Sequence, residues 1–379
     1  MVQWGKGEVM KNRSNFASSA GFCEEYYRIL SDNDFPEFLR EYIECPSLQR
    51  LKGSAVSCGA NWTDLHEFRF WYSTLDHSIG VALVCWRFTG DKKCALAGLL
   101  HDIATPAFKH CIDFMNKDHE NQESTEDRTS EMIMGDKKLM GLLLRDGIRV
   151  EEVADCKIYP IADNDTPKLS ADRLEYLFVW GCMREPVWNL DDVREMYNDL
   201  VVAKNEDGID EIVFRSERLA EKFTKGACDV SSTFLWPRTR MQMEFMADVV
   251  KKAIEIGVLE LDDLWRVSER QVVDRIRRSR VFRRAWRQFE NMTECETSDE
   301  KIAAGYCKKI PAKKRYVNPL VVTSGGNVRI NEISDVANES IQGVLGHRFD
   351  EWIGLDVEMG WMEQSMGREV LRFYFSGVE

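Results

Sequence analysis

The chain has no apolar run approaching the roughly 20 residues that a membrane-spanning helix requires, so no helical membrane anchor is expected. Its 11 cysteines include no C-x-x-C pair, and their odd number argues against a disulfide framework as well as a zinc knuckle. Cys85, Cys94, Cys111 and Cys182 lie in apolar runs and are expected as buried thiols in a reducing cytoplasm. No apolar stretch follows Met1 to Lys6, so no secretory leader is expected. The sequence shows neither an internal repeat nor a low-complexity tract. Positive charge is in deficit: 51 Lys and Arg against 64 Asp and Glu give a net charge of −13, which disfavours a protein that coats nucleic acid. What is present is 44% hydrophobic residues, enough for a sizeable core. The 379 residues can form one large domain or two to three smaller ones.

Taken in order, residues 22–52 read as short helices punctuated by Pro36 and Pro46, and 53–61 as loop. His77 to Trp86 is almost wholly apolar and reads as a helix buried on most sides. Asp91 can cap a second apolar helix, Lys92 to His101, in which Gly98 permits close approach of the two. Residues 116–130 are polar and acidic, a surface segment or lid. Helical periodicity resumes at 129–144 and 150–156. Ser170 can then cap a helix from Ala171 to about Trp180. Residues 191–226 alternate charged and apolar groups as amphipathic helices do, and 239–257 and 261–292 read as further helices. Tyr316 to Val322 and Val328 to Ile330 form an expected hairpin around Ser324-Gly325-Gly326-Asn327, and Val370 to Phe375 an expected strand. Nine arginines lie between Arg266 and Arg287. With Trp265, Phe282 and Trp286 among them they suit polyphosphate or single strands, or else form a solvated face paired with acids. Lys308, Lys309, Lys313, Lys314 and Arg315 form a second basic cluster.

The chemistry concentrates between Leu99 and Asp113. An adjacent His101–Asp102 pair ends the second buried helix, Pro106 follows, and His110 and Asp113 come soon after. Adjacent side chains within a helix do not share a face, but at a helix end both can grip one ion. His77 on the preceding helix and Asp172 on a later one complete a candidate set. Two imidazoles and two carboxylates suit a divalent metal ion (Mn, Mg, Fe, Ni or Zn) and leave positions open for water and a substrate oxygen. Such an ion polarises a phosphoryl oxygen and acidifies water, as phosphoester hydrolysis requires.

In these residues the sequence resembles the HD-domain metal-dependent phosphohydrolases over roughly residues 46–180, closest in layout to the deoxynucleoside triphosphate triphosphohydrolases. The family's "EHS-G" segment corresponds to Asp76-His77-Ser78-Ile79-Gly80. Its "HD-GH-PF-H--D" corresponds to the run from His101 to Asp113, and its "DR-DY" helix to Asp172-Arg173-Leu174-Glu175-Tyr176. The resemblance implies His77, His101, Asp102 and Asp172 as metal ligands, and His110 and Asp113 as an acid/base group and its orienter. It implies Arg173 as a phosphate contact, Tyr176 as packing on a sugar, and Arg50 as a substrate contact within Gln49-Arg50-Leu51. The chain departs from the pattern at Thr105, where the family has a histidine, and at Thr74, where it has an arginine. Glu126 stands in the place of a further histidine, with His119-Glu120 offering the same letters six residues earlier. Trp180 stands in the place of a sugar-reading aspartate. The expected fold is mainly α: a lead-in (1–45), an HD-type helical core (46–185), a helical extension (186–305) and a small β-containing C-terminal region (306–379). The expected activity is metal-dependent hydrolysis of a nucleotide phosphoester in a cytoplasmic homo-oligomer. A phosphodiesterase or nucleotidase of the same superfamily and a non-catalytic nucleotide sensor are the alternatives.

Overall fold

The computed structural model describes residues 18–115, 128–184, 187–303 and 305–363. The expected pair of buried helices spans Thr74–Thr89 and Lys92–Leu100. Each start is fixed by a side chain that satisfies otherwise orphaned N–H groups. Ser73 Oγ accepts from Asp76 N at 3.1 Å while Asp76 returns the bond to Ser73 N at 3.0 Å, a capping box. Asp91 Oδ1 accepts from Lys93 N at 2.8 Å. Gly90, at φ +61°, ends the first helix in the left-handed region, where glycine carries no Cβ penalty. Gly98 sets the spacing of the pair: a Cβ there would lie 2.9 Å from Cys85 Sγ and 3.2 Å from Val81 Cγ1.

A third helix, Ala171–Met183, capped by Ser170, packs against the first. The closeness again depends on glycine, because a Cβ on Gly80 would stand 2.5 Å from Glu175 Oε1. These helices anchor one hydrophobic core, which includes Leu83, Leu99, Leu174 and Phe178. A second core gathers the helix Pro237–Glu255, the short helices Asp263–Arg266, Glu269–Arg278 and Arg283–Glu290, and part of the loop that carries Trp62. Helices predominate, as expected. The cysteines are free thiols, most of them buried, and no described helix is long and apolar enough to cross a membrane.

Seven strands lie among the described residues: β1 Leu200–Lys204, β2 Asp210–Phe214, β3 Glu296–Ser298, β4 Tyr306–Lys308, β5 Leu320–Thr323, β6 Gly326–Arg329 and β7 Trp352–Leu355. They form sheets ordered β1-β2-β5-β6 and β3-β7-β4. The β5–β6 hairpin is the expected one. The β1–β2 hairpin corrects the reading of 191–226 as helical throughout, since only Leu190–Asn198 and the helix beginning at Glu217 keep that form. Val201-Val202 and Ile212-Val213-Phe214 are β-branched or aromatic runs, and Asp207-Gly208 between them is a hairpin turn signal. The two hairpins join through the parallel contact of β2 with β5. Arg329 clamps the joint, pairing with buried Glu211 at 2.6 Å and with Glu206 at 2.8 Å. The expected strand at 370–375 lies outside the described residues.

Part of the arginine-rich stretch is paired with acids, while Arg270, Arg278, Arg280, Arg283 and Arg287 are exposed. Arg266 meets Asp262 at 3.1 Å, Arg277 meets Glu290 at 2.6 Å and Arg284 meets Glu358 at 3.0 Å.

Candidate metal centre

His77 leaves the first turn of its helix pointing inward and is almost fully buried. Its Nδ1 bonds Glu175 Oε2, and Tyr72 holds the other Glu175 oxygen at 2.7 Å. His101 follows the last residue of its helix, and its Nδ1 meets the Gly98 carbonyl oxygen at 2.7 Å. With each Nδ1–H given to an acceptor, both Nε2 atoms are left to face the cluster, the usual support for a metal-binding imidazole. His77 Nε2 lies 3.0 Å from Asp172 Oδ1 and 3.8 Å from Asp102 Oδ2. His101 Nε2 lies 3.6 Å from each of the same oxygens. Ligand atoms of His77, His101 and Asp102 all fall within 4.8 Å of one another, and Asp172 faces both imidazoles. Two nitrogens and one carboxylate oxygen at this spacing fit a divalent ion, with Asp172 Oδ1 beside both imidazoles as the fourth candidate ligand.

The electrostatics are those of a site built for positive charge. Burial opposes a proton on His77, yet Glu175 and Asp172 outweigh it and push its pKa up to about 10. Asp102 is partly buried, but Lys109 and the two histidines hold its carboxyl well below the usual range.

Lys109 is the group that sequence reasoning missed. Its Nζ donates to Asp102 Oδ2 at 2.5 Å, and Thr105 Oγ1 donates to Asp102 Oδ1 at 2.8 Å. Thr105, where the family pattern has a histidine, thus orients a ligand carboxylate. Lys109 reaches the cluster because Phe108 and Lys109 adopt φ +68° and +43°, a conformation that costs a non-glycine residue on the order of 1 kcal/mol or more. The surroundings impose it. Phe108 is fully buried, Ala107 N is fixed to Leu264 O at 2.7 Å, and the Phe108 N–H is held by buried Glu269.

The cluster opens into a cavity of about 610 Å³. His77, His101, Asp102, Asp172, His110, Arg173 and Tyr176 all line it, so the structure brings these sequence candidates together. His110 Nδ1 bonds Asp113 Oδ2 at 2.8 Å, and Asp113 is fully buried behind it. Burial, together with Arg315 and Lys109, keeps the His110 pKa below its ordinary value despite Asp113. Arg173 spends donors on its own loop, at 2.6 Å from Asn164 Oδ1 and 3.1 Å from Lys168 O, and pairs with Asp163 at 3.4 Å. Arg50 is not among the lining residues. It donates to Thr105 O at 2.9 Å and Ile103 O at 2.8 Å, which makes it a brace for the turn after Asp102. His119, Glu120 and Glu126 lie outside the described residues.

Two further sets were not assigned to the site from sequence. Glu175 stands one helical turn after Asp172, and that i, i+3 spacing was the available signal. Lys313, Lys314 and Arg315 reach the cavity wall from the C-terminal region, and only tertiary packing puts them there.

Residues 74–159 match the HD domain family. The uncharacterized protein YdhJ of Bacillus subtilis is 26% identical over 248 residues, 64% of this chain and 71% of that protein. The metal-dependent phosphohydrolase cns2 of Cordyceps militaris is 23% identical over 281 residues, 72% of this chain and 78% of that protein. Among solved structures, a phosphohydrolase from Bacteroides thetaiotaomicron superposes with a TM-score of 0.57 at 14% identity, covering 86% of this chain and 97% of its own. A hypothetical protein from Aquifex aeolicus gives 0.55 at 17% identity, covering 85% and 92%. These two structures share the fold.

Proposed function

We propose that this chain, whose residues 74–159 match the HD domain family, is a hydrolase that cleaves a nucleotide phosphoester with a divalent metal held by His77, His101, Asp102 and Asp172. The observation that carries the reading is the shared cavity. One wall is the imidazole–carboxylate cluster, and other walls present Lys109, Arg173, Lys313, Lys314 and Arg315. A phosphate dianion matches that charge arrangement.

An ion held by His77, His101, Asp102 and Asp172 would supply Lewis acidity to a phosphoryl oxygen and would acidify water. The chain's own residues do the rest. Glu175 and the Gly98 carbonyl hold the two imidazoles in the tautomer that offers Nε2. Thr105 and Lys109 orient Asp102. His110 is the proton-transfer group: Asp113 fixes its Nδ1–H, so Nε2 accepts a proton when neutral and returns it to a leaving alkoxide when charged. The lowered pKa of His110 keeps the neutral form available at neutral pH. The basic residues of the 312–316 segment neutralise the remaining substrate charge.

Release of intact triphosphate is the finer assignment, and it rests on motif order alone. Trp180 puts an aromatic ring where that subgroup has a carboxylate. The test is a screen of chelator-treated protein, resupplied separately with Mn, Mg, Fe, Ni or Zn, against nucleoside mono-, di-, tri- and cyclic phosphates. Metal-restored turnover of at least one nucleotide is expected. Intact triphosphate as product identifies a triphosphohydrolase, and orthophosphate a nucleotidase. Undiminished turnover in chelator, or no turnover of any nucleotide with every metal, contradicts the proposal.

A further inference from the structure

His66 lines the same cavity but belongs to a different environment. It is 7% exposed. Arg184 Nη2 lies 2.8 Å from its Nδ1. A guanidinium can only donate, so Nδ1 must accept and the ring proton must sit on Nε2. That Nε2–H is buried and has no hydrogen-bond partner among the described residues. A buried donor left unmade costs about 1–3 kcal/mol, a cost that a ligand acceptor reaching it from the cavity would remove. Burial and the charges of Arg184 and Arg238 keep this imidazole neutral, which preserves the single-donor form.

The walls beside it are aromatic. Phe68 lies 6.2 Å from the His66 ring, Trp180 packs edge-on to Phe68 at 5.8 Å, and Phe234 packs edge-on to Trp180 at 4.9 Å. All three rings line the cavity and remain partly accessible. The position along the helix gives the span. Asp172, Tyr176 and Trp180 recur every four residues on one face, so Trp180 stands about 12 Å beyond Asp172 at 1.5 Å rise per residue. A group bound there is joined to a phosphate at the metal cluster by a spacer that passes Tyr176.

We propose that His66, Phe68, Trp180 and Phe234 form a subsite for a nucleobase, which presents a ring nitrogen or carbonyl oxygen to His66 Nε2–H and packs against the three aromatic rings. This rests on the nucleotide reading above and names the part of the substrate that the distal end receives. The subsite favours planar heteroaromatic groups with an in-plane acceptor over bare sugar phosphates.

The test uses phosphate-free probes, so that it does not depend on hydrolysis. Adenosine, guanosine, cytidine and uridine, with ribose as the control, are titrated into the full chain by calorimetry and tryptophan fluorescence. At least one nucleoside is expected to bind, and ribose is not. His66→Leu should weaken that nucleoside about tenfold, and Trp180→Ala by about tenfold or more. His66→Gln should stay near wild type, because its amide can accept from Arg184 and donate to the base. Thermal unfolding and metal content of each variant establish that the fold is kept. If His66→Leu fails to fold, Trp180→Ala and His66→Gln still decide. No nucleoside binding, or equal binding in wild type, His66→Leu and Trp180→Ala, overturns the subsite. Nucleoside binding in the expected pattern without turnover of any nucleotide leaves the subsite standing and removes the hydrolytic reading. Nucleotide turnover with KM unchanged in Trp180→Ala does the reverse.

Discussion

The cavity holds two buried histidines with opposite surroundings. His77 sits among Glu175, Asp172 and Asp102, and its pKa is pushed up to about 10. His66 sits beside Arg184 and Arg238, and its pKa falls well below the ordinary value. The same side chain therefore does two jobs, decided by the neighbours' charge. At the acidic end the imidazole is a seat for a cation. At the arginine and aromatic end it is a neutral donor for a polar atom on a flat ring.

The hardest way to break this contrast is to remove the acidic end. Asp102→Ala should lose bound metal and turnover by more than the roughly 10- to 100-fold that removal of a supporting carboxylate costs, as read by elemental analysis and the nucleotide assay. His110→Ala should lower kcat by about 10²- to 10⁴-fold with metal content unchanged, which separates proton transfer from metal binding. Glu175→Gln keeps the shape but removes the charge behind His77. Metal affinity should fall about 10- to 100-fold in a calorimetric titration.

Glu269 is a smaller and different lever, because it holds the turn that delivers Lys109. Burial raises its carboxyl from 4.5 to about 7, against hydrogen bonds from Trp62 and Ala55. The folded state then binds its proton more tightly than the unfolded chain. Its contribution to stability is greatest below pH 4.5, falls between 4.5 and 7, and is level above. The shift corresponds to about 3 kcal/mol. Glu269→Gln should remove that slope from the difference between variant and wild type in denaturant titrations across this range. The smallest effect belongs to His66. Its depressed pKa gives stability that is present above pH 6.5 and lost as pH falls through the folded value. His66→Gln should therefore lose less stability than wild type on acidification, with no change in metal affinity.

The two ends also differ in how far the sequence reveals them. At the acidic end, His77, His101, Asp102 and Asp172 are legible because their order along three helices is itself a pattern, and capping residues such as Ser73, Asp91 and Ser170 mark where those helices start. Glu175 was within reach of the same reasoning through its helical spacing. Lys109 was not, because its side chain arrives through two left-handed residues that Phe108's burial enforces. Arg50 misled: its place beside the motif suggested substrate, whereas its guanidinium braces the backbone of Ile103 and Thr105. At the other end, His66, Arg184 and Phe234 come from three separate segments with no shared spacing, and only packing unites them. The β1–β2 hairpin was missed for a related reason. Charged residues between apolar ones gave a helical impression, although Asp207-Gly208 was an available turn signal.

The decisive measurement is the metal stoichiometry and nucleotide turnover of one chelator-treated sample, taken before and after a divalent metal is returned, beside Asp102→Ala treated identically. Wild type should regain bound metal and turnover together while the variant regains neither. Full turnover in the metal-free sample, or metal-dependent turnover retained by Asp102→Ala, would contradict the metal assignment.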